Sequence, residues 1–229
     1  MKTIGLIGGL TWLSTLDYYR LLNQMVNEKL GGPEAAKIIL FSVNFGEIKI
    51  LTQAGDWDGI TNILCDAAKK VEAAGADCLL IGANTMHKIA DKIQAAVHIP
   101  VIHIAEETTK EISKQNLKTV ALLGTKYTMQ QDFYTNKISA HGVKVIIPEE
   151  DEIEYINDAI YNEFGIGIFL PERKKRFIEI INRLISRGAQ GIVLACTEIP
   201  ILIKQEDISA PVFDTAKIHA AAAVEFVLS

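Results

Sequence analysis

The chain repeats itself, and that repeat limits its possible folds more than any other feature. "KTIGLIG" at Lys2 returns as "KTVALLG" at Lys118, and "GADCLLIGA", ending at Ala83, returns as "GAQGIVLAC", ending at Cys196. The offsets are 116 (118 − 2) and 113 (196 − 83), and in both copies of the second motif the first Gly and the last residue are 8 positions apart (83 − 75 and 196 − 188). Two copies of one strand-rich pattern, separated by helix-length segments, imply two related α/β halves that face each other.

Short apolar runs alternate with longer amphipathic ones throughout. Strands are expected at Thr3–Ile7, Ile38–Val43, Cys78–Ile81 and Val101–Ile104, then at Thr119–Leu123, Val143–Ile147, Gly191–Ala195 and Val212–Phe213. They are rich in Ile, Val and Leu with little alternation, as parallel strands covered on both faces are. The first helix is expected to start at Ser14, with Asp17 completing a capping box, and to stop before Gly31-Gly32-Pro33. Further helices are expected at Asp58–Ala74, Met86–Ala96, Met129–Ala140, Asp151–Phe164, Glu172–Arg187 and Ala216–Leu228. The fold class is therefore two similar parallel-sheet α/β domains related by a pseudo-two-fold, with an active-site cleft between them. The domains are residues 1–105 and 106–214, joined near Ala105–Lys118, with a last helix in 215–229 packing back on the first.

Composition removes several functions. The net charge of −5, with no basic stripe, argues against nucleic acid as a partner. The apolar runs fall short of the roughly 20 residues of a membrane-spanning helix. "MKTIGLIGG" enters a strand directly, without the grammar of a cleaved leader. Three cysteines without paired spacing suggest reduced thiols and a cytoplasmic protein.

Ligands of open α/β sheets bind beyond the carboxyl ends of the strands. Four stretches qualify: Gly8–Ser14 (with Leu10 and Ser14), Ala83–His87, Gly124–Thr128 and Cys196–Glu198. Cys196 follows a strand at a turn into a helix, where backbone N–H groups and the positive helix end are expected to lower a thiol pKa. Cys65 and Cys78, in a helix and a strand, read as small buried hydrophobes. Asn84, Thr85, Thr125, Thr128, Thr197 and Glu198 supply amide, hydroxyl and carboxyl groups at these turns, and the same residue types cap helices. "GLIGG" lacks the full dinucleotide fingerprint, and His87, His103 and His219 lack metal-ligand spacing. "PERKKR" reads as a solvated helix face, with two of its cations available to an acidic substrate.

The segments "IGLIGGLTWLSTLDYY", "GANTMHKIAD", "IPVIHIAEET", "ALLGTKYTMQQDFY", "GAQGIVLACTEI" and "PVFDTAKIHA", in this order, resemble the aspartate/glutamate racemase family over nearly the whole chain. That resemblance implies an amino-acid racemase without pyridoxal phosphate or any other cofactor or metal, often a homodimer. In it one base takes the Cα proton and an opposite one returns a proton to the other face. The resemblance makes Cys196 one base and position 83 the other. It also implies that Asn84, Thr85, Thr125 and Thr197 hold the substrate's α-carboxylate or amino group; Leu10, Ser14, Thr128 and Glu198, at the same turns, are the further candidate substrate-binding residues.

Position 83 is alanine here. Three readings of that departure stand open: an engineered replacement of Cys or Thr, an enzyme using water, His87 or another group on the second face, or a cleft put to other use. The last includes an isomerase or decarboxylase of small carboxylic acids using one cysteine, and an amino-acid-binding protein. Around Asp151–Asn157, where many relatives carry a base for the substrate's side-chain carboxylate, this chain has Ile153, Glu154 and Tyr155. Lys49, Lys126 and Arg173 are the candidate replacements.

Overall fold

Both copies of the repeat build the same piece of sheet. The computed structural model describes residues 1–229 and divides into two units, Met1–His103 with His219–Ser229, and Ile104–Ile218. The first unit holds β1 (Ile4–Gly8), α1 (Trp12–Leu30), β2 (Ile38–Ser42), α2 (Phe45–Ala54), α3 (Trp57–Ala73), β3 (Cys78–Ile81), a 3-10 turn (Thr85–Ile89) and α4 (Ala90–Ala96). The second holds α5 (Ile104–Lys114), β4 (Thr119–Gly124), α6 (Lys126–Gln130), α7 (Asp132–Ser139) and β5 (Lys144–Ile146). These are followed by α8 (Glu150–Asn162), α9 (Pro171–Ser186), β6 (Gly191–Ala195), α10 (Ile199–Leu202) and β7 (Val212–Asp214). A last helix, α11 (Thr215–Leu228), starts in the second unit and belongs to the first from His219 onward.

The sheets have the orders β2-β1-β3 and β5-β4-β6-β7, and every pairing is parallel. "KTIGLIG" and "KTVALLG" supply the central strands β1 and β4, while the two Gly-Ala motifs supply their neighbours β3 and β6. All residues of β1, β3 and β6 are buried, which explains their unbroken apolar sequence. In the second unit one apolar cluster gathers Ala121, Ile156, Phe177 and Leu194, and another gathers Val120, Ile112, Tyr134 and Val193. Alternate residues of β4 and β6 thus feed opposite faces of the sheet.

Several expectations need correction. The N-cap of α1 is Thr11, whose Oγ1 accepts from Ser14 N at 3.2 Å; the helix begins before Ser14. Val101–Ile104 is not a full strand. Leu79 N donates to Pro100 O (2.9 Å) and Ile102 N to Leu79 O (3.0 Å), a single bridge, after which Ile104 opens α5. The corresponding segment of the second copy, after Pro211, extends the pairing to three residues as β7. The join near Ala105–Lys118 is thus mostly α5, with Glu106 and Glu107 in its first turn. The helix expected from Met86 starts as a 3-10 turn, and that expected from Met129 is broken in two by the extended Gln131 (φ −99°, ψ 150°). Helix α2 was not expected; Asn44 caps it and Gly55, at φ +71°, ends it.

Candidate active site

Each of the four turns nominated by sequence follows a strand, and each unit carries two of them. In the first unit the chain leaves β1 through Gly8-Gly9. Gly9 has φ +74°, and a Cβ there would lie 2.1 Å from Val43 O, so only glycine fits. Its N–H donates to Thr15 Oγ1 (2.7 Å), whose hydroxyl donates to Thr11 O (2.9 Å). Ser14, almost fully buried, has its Oγ 3.1 Å from Thr11 O and 3.4 Å from Gly82 O, and its single hydroxyl proton is shared between these two acceptors. Ser14 therefore ties the β1 turn to the β3 turn. Leu10 is buried in the apolar cluster of the same unit.

The β3 turn brings Ala83, Asn84 and Thr85 together beside Ser14. Gly82 N donates to Ile7 O (2.9 Å), and Asn84 and Thr85 are buried while Ala83 is only partly so. His87 Nδ1 donates to Ala83 O (2.9 Å). Its ring meets those of His103 and His219, with centroids 4.8 and 5.5 Å away. Tyr18 Oη donates to His219 Nδ1 (2.8 Å), and His219 Nε2 donates to Ile102 O (2.7 Å). Both nitrogens of His219 are thereby engaged as those of a neutral ring. Burial pushes the pKa of His87 and His219 down to about 3. This cluster escaped the sequence reading because its members lie far apart in the chain.

In the second unit the Thr125 and Cys196 turns are neighbours, because Gly124 pairs with Ala195. Thr125 Oγ1 accepts from Thr128 N (3.3 Å) and lies 3.1 Å from Thr128 Oγ1. Lys126 N donates to Asn157 Oδ1 on α8 (2.9 Å), a residue the sequence reading missed. Cys196 Sγ donates to Glu198 Oε2 at 3.1 Å, and Thr197 Oγ1 donates to the same oxygen at 2.8 Å; all three residues are buried. Tyr161, also missed, is a partly buried group that interacts electrostatically with Cys196, Tyr127 and Glu198; loss of solvent around its hydroxyl raises its pKa.

The thiol does not have the lowered pKa expected from its place in sequence. Burial first, and the Glu198 carboxylate second, raise Cys196 well above the ordinary thiol range, against the smaller pull of the Glu198 and Ile199 N–H groups. Helix α10 has only 4 residues, too short for a strong end-field. The result is a protonated thiol already hydrogen-bonded to a proton acceptor. The other two thiols lie elsewhere: Cys78 is sealed in β3, where burial pushes it up to about 12, and Cys65 lies on α3. No group of three or more His, Cys, Asp or Glu is arranged to hold a metal ion, and no helix is long and apolar enough to cross a membrane.

A family model described as Asp/Glu/Hydantoin racemase matches residues 7–223. The chain belongs to that family. Among relatives of the family, the broad specificity amino-acid racemase RacX of Bacillus subtilis (strain 168) is 29% identical over 177 residues, covering 76% of this chain and 75% of its own. A solved structure of an Asp/Glu racemase candidate from Yersinia pestis is 44% identical, with a TM-score of 0.92 and full coverage of both chains. An aspartate racemase homologue from Pyrococcus horikoshii OT3 is 37% identical, with a TM-score of 0.86 and the same coverage. The family and these relatives make the protein an amino-acid racemase, an isomerase acting on an amino acid.

Proposed function

We propose that this racemase works without pyridoxal phosphate, with Cys196 as one acid/base and Glu198 as the acceptor of its proton. The observation that carries the reading is the 3.1 Å hydrogen bond from Cys196 Sγ to Glu198 Oε2. The thiol proton passes to the Glu198 carboxylate. The thiolate then takes the proton from Cα of the amino acid, and the C–H electron pair delocalises into the α-carboxylate. Hydroxyl and amide donors hold that developing charge. Leu10, Ser14, Asn84, Thr85, Thr125, Thr128 and Thr197 are the proposed substrate-binding residues. Of these, Ser14 and Leu10 act through the turn they brace.

The family resemblance assigns the second base to position 83, and Ala83 has no titratable group. Solvent then supplies the proton for the other face, and the balance of events shifts toward exchange with retained configuration. The alanine also favours a second reading, an amino-acid-binding member of the family with impaired turnover. Three unpaired thiols support a cytoplasmic setting. The exposed residues Trp12, Leu16 and Tyr19, spaced along one face of α1, support a homodimer.

The test is proton NMR of L- and D-amino acids in deuterium oxide. Loss of the Cα–H signal with the native protein, and its retention with Cys196→Ser, is the expected result. Equal exchange by the Cys196→Ser protein would sink the cysteine mechanism. Saturable binding with no exchange would favour the second reading.

A further inference from the structure

An acidic amino acid brings a second carboxylate, and its recognition needs a cation free to meet it. On the Cys196 unit the sequence nominates two, Lys126 and Arg173. Lys126 stands beside the reactive turn: it follows Thr125, which leaves β4 where Gly124 pairs with Ala195. Its ammonium forms an ion pair with Glu154 of α8 and lies 3.5 Å from Glu150 Oε1 of the same helix. Glu154 holds that ammonium above its ordinary pKa. Arg173 is taken in the same way. Its guanidinium donates to Glu163 Oε2 (2.8 Å) and Oε1 (2.5 Å), reaches Asp158 Oδ2 (3.3 Å), and lies 4.4 Å over the Tyr155 ring.

Each of these cations therefore faces two carboxylates of its own chain. The Cys196 turn adds a fifth carboxyl group, Glu198, buried against the thiol. The local field repels a further negative charge and tolerates a neutral or positive one.

We infer that the side-chain specificity of this racemase is set by Glu150 and Glu154 holding Lys126, and that its substrates are amino acids with uncharged or cationic side chains, in preference to aspartate and glutamate. The inference rests on the proposed role of Cys196 as the reactive residue. Glu150 and Glu154 are positioning residues: they act through Lys126.

The experiment measures Cα–H exchange in deuterium oxide, as kcat/KM, for alanine, methionine, lysine, aspartate and glutamate with the native chain. It is repeated with the double variant Glu150→Gln/Glu154→Gln. The native protein is expected to favour the best of the first three over either acidic substrate by about tenfold or more. The double variant should narrow that gap by about tenfold through a gain on aspartate and glutamate, with the alanine rate unchanged within about threefold. Aspartate or glutamate as the best native substrate, with exchange abolished in Cys196→Ser, would overturn the specificity and leave the racemase mechanism standing. An unchanged acidic-to-neutral ratio in the double variant would overturn the role of the two glutamates. Exchange of no amino acid at all would remove the mechanism and this inference together.

Discussion

Glu198 Oε2 accepts two hydrogen bonds at once, from Cys196 Sγ at 3.1 Å and from Thr197 Oγ1 at 2.8 Å. The threonine bond fixes the carboxylate where the thiol can reach it. The same contact that offers the thiol a proton acceptor also raises its pKa, because a thiolate next to a carboxylate is a like-charge pair.

Glu198→Gln separates these two effects. Losing the acceptor should lower exchange by about 10²- to 10⁴-fold, the usual worth of a positioned acid or base. Removing the negative charge should lower the thiol pKa, so the residual activity should rise at a lower pH than in the native protein. A pH profile of kcat/KM for both proteins checks this; an unmoved profile would show that Glu198 does not control the thiol.

Ala83→Cys places a thiol on the residue whose carbonyl accepts from His87. Net conversion of one enantiomer to the other should rise by about 10²-fold or more, while exchange with retained configuration rises little. Chiral chromatography of the products, run beside NMR exchange, distinguishes the two. No gain in conversion would argue against position 83 as the missing base.

Gly9→Ala should destabilise the first unit by about 2–4 kcal/mol, since it combines a positive φ with a Cβ 2.1 Å from Val43 O. Gly142→Ala shares the positive φ (+75°) but meets nothing within 4 Å, and should cost only about 1 kcal/mol. Urea denaturation of the two variants measures the difference.

His87 and His219 have folded pKa values near 3, against 6.5 for the free side chain. Below pH 6.5 the unfolded chain binds protons that the folded chain refuses. Stability should therefore be complete above that pH and fall progressively as the pH drops toward 3. At pH 5 the loss is about 2 kcal/mol for each ring that titrates independently, at 1.36 kcal/mol per unit. Thermal unfolding from pH 7 to 5 should show the decline, and His219→Gln should flatten it. A native melting temperature constant over that range would refute the assignment.

Much of this was written in the chain order. Buried parallel strands carry unbroken Ile, Val and Leu runs, so seven of the eight expected strands lie within a residue or two of their positions, while the orders β2-β1-β3 and β5-β4-β6-β7 came only from the tertiary structure. The motif "ACTE" placed Cys196 and Glu198 at the same strand end, and the structure joins them by a hydrogen bond. Local sequence misled where long-range contacts decide. Val101–Ile104 has strand composition but only two ladder hydrogen bonds. At α1 the deciding contact is local: Thr11 is the extended residue whose Oγ1 accepts from Ser14 N, three positions on, while Ser14 lies inside the helix. The state of the thiol belongs to tertiary structure as well. Sequence places Cys196 at a turn, where an exposed thiol would ionise more readily. The fold buries it against a carboxylate, and a pKa depends on solvation and neighbouring charge, which only three-dimensional packing determines.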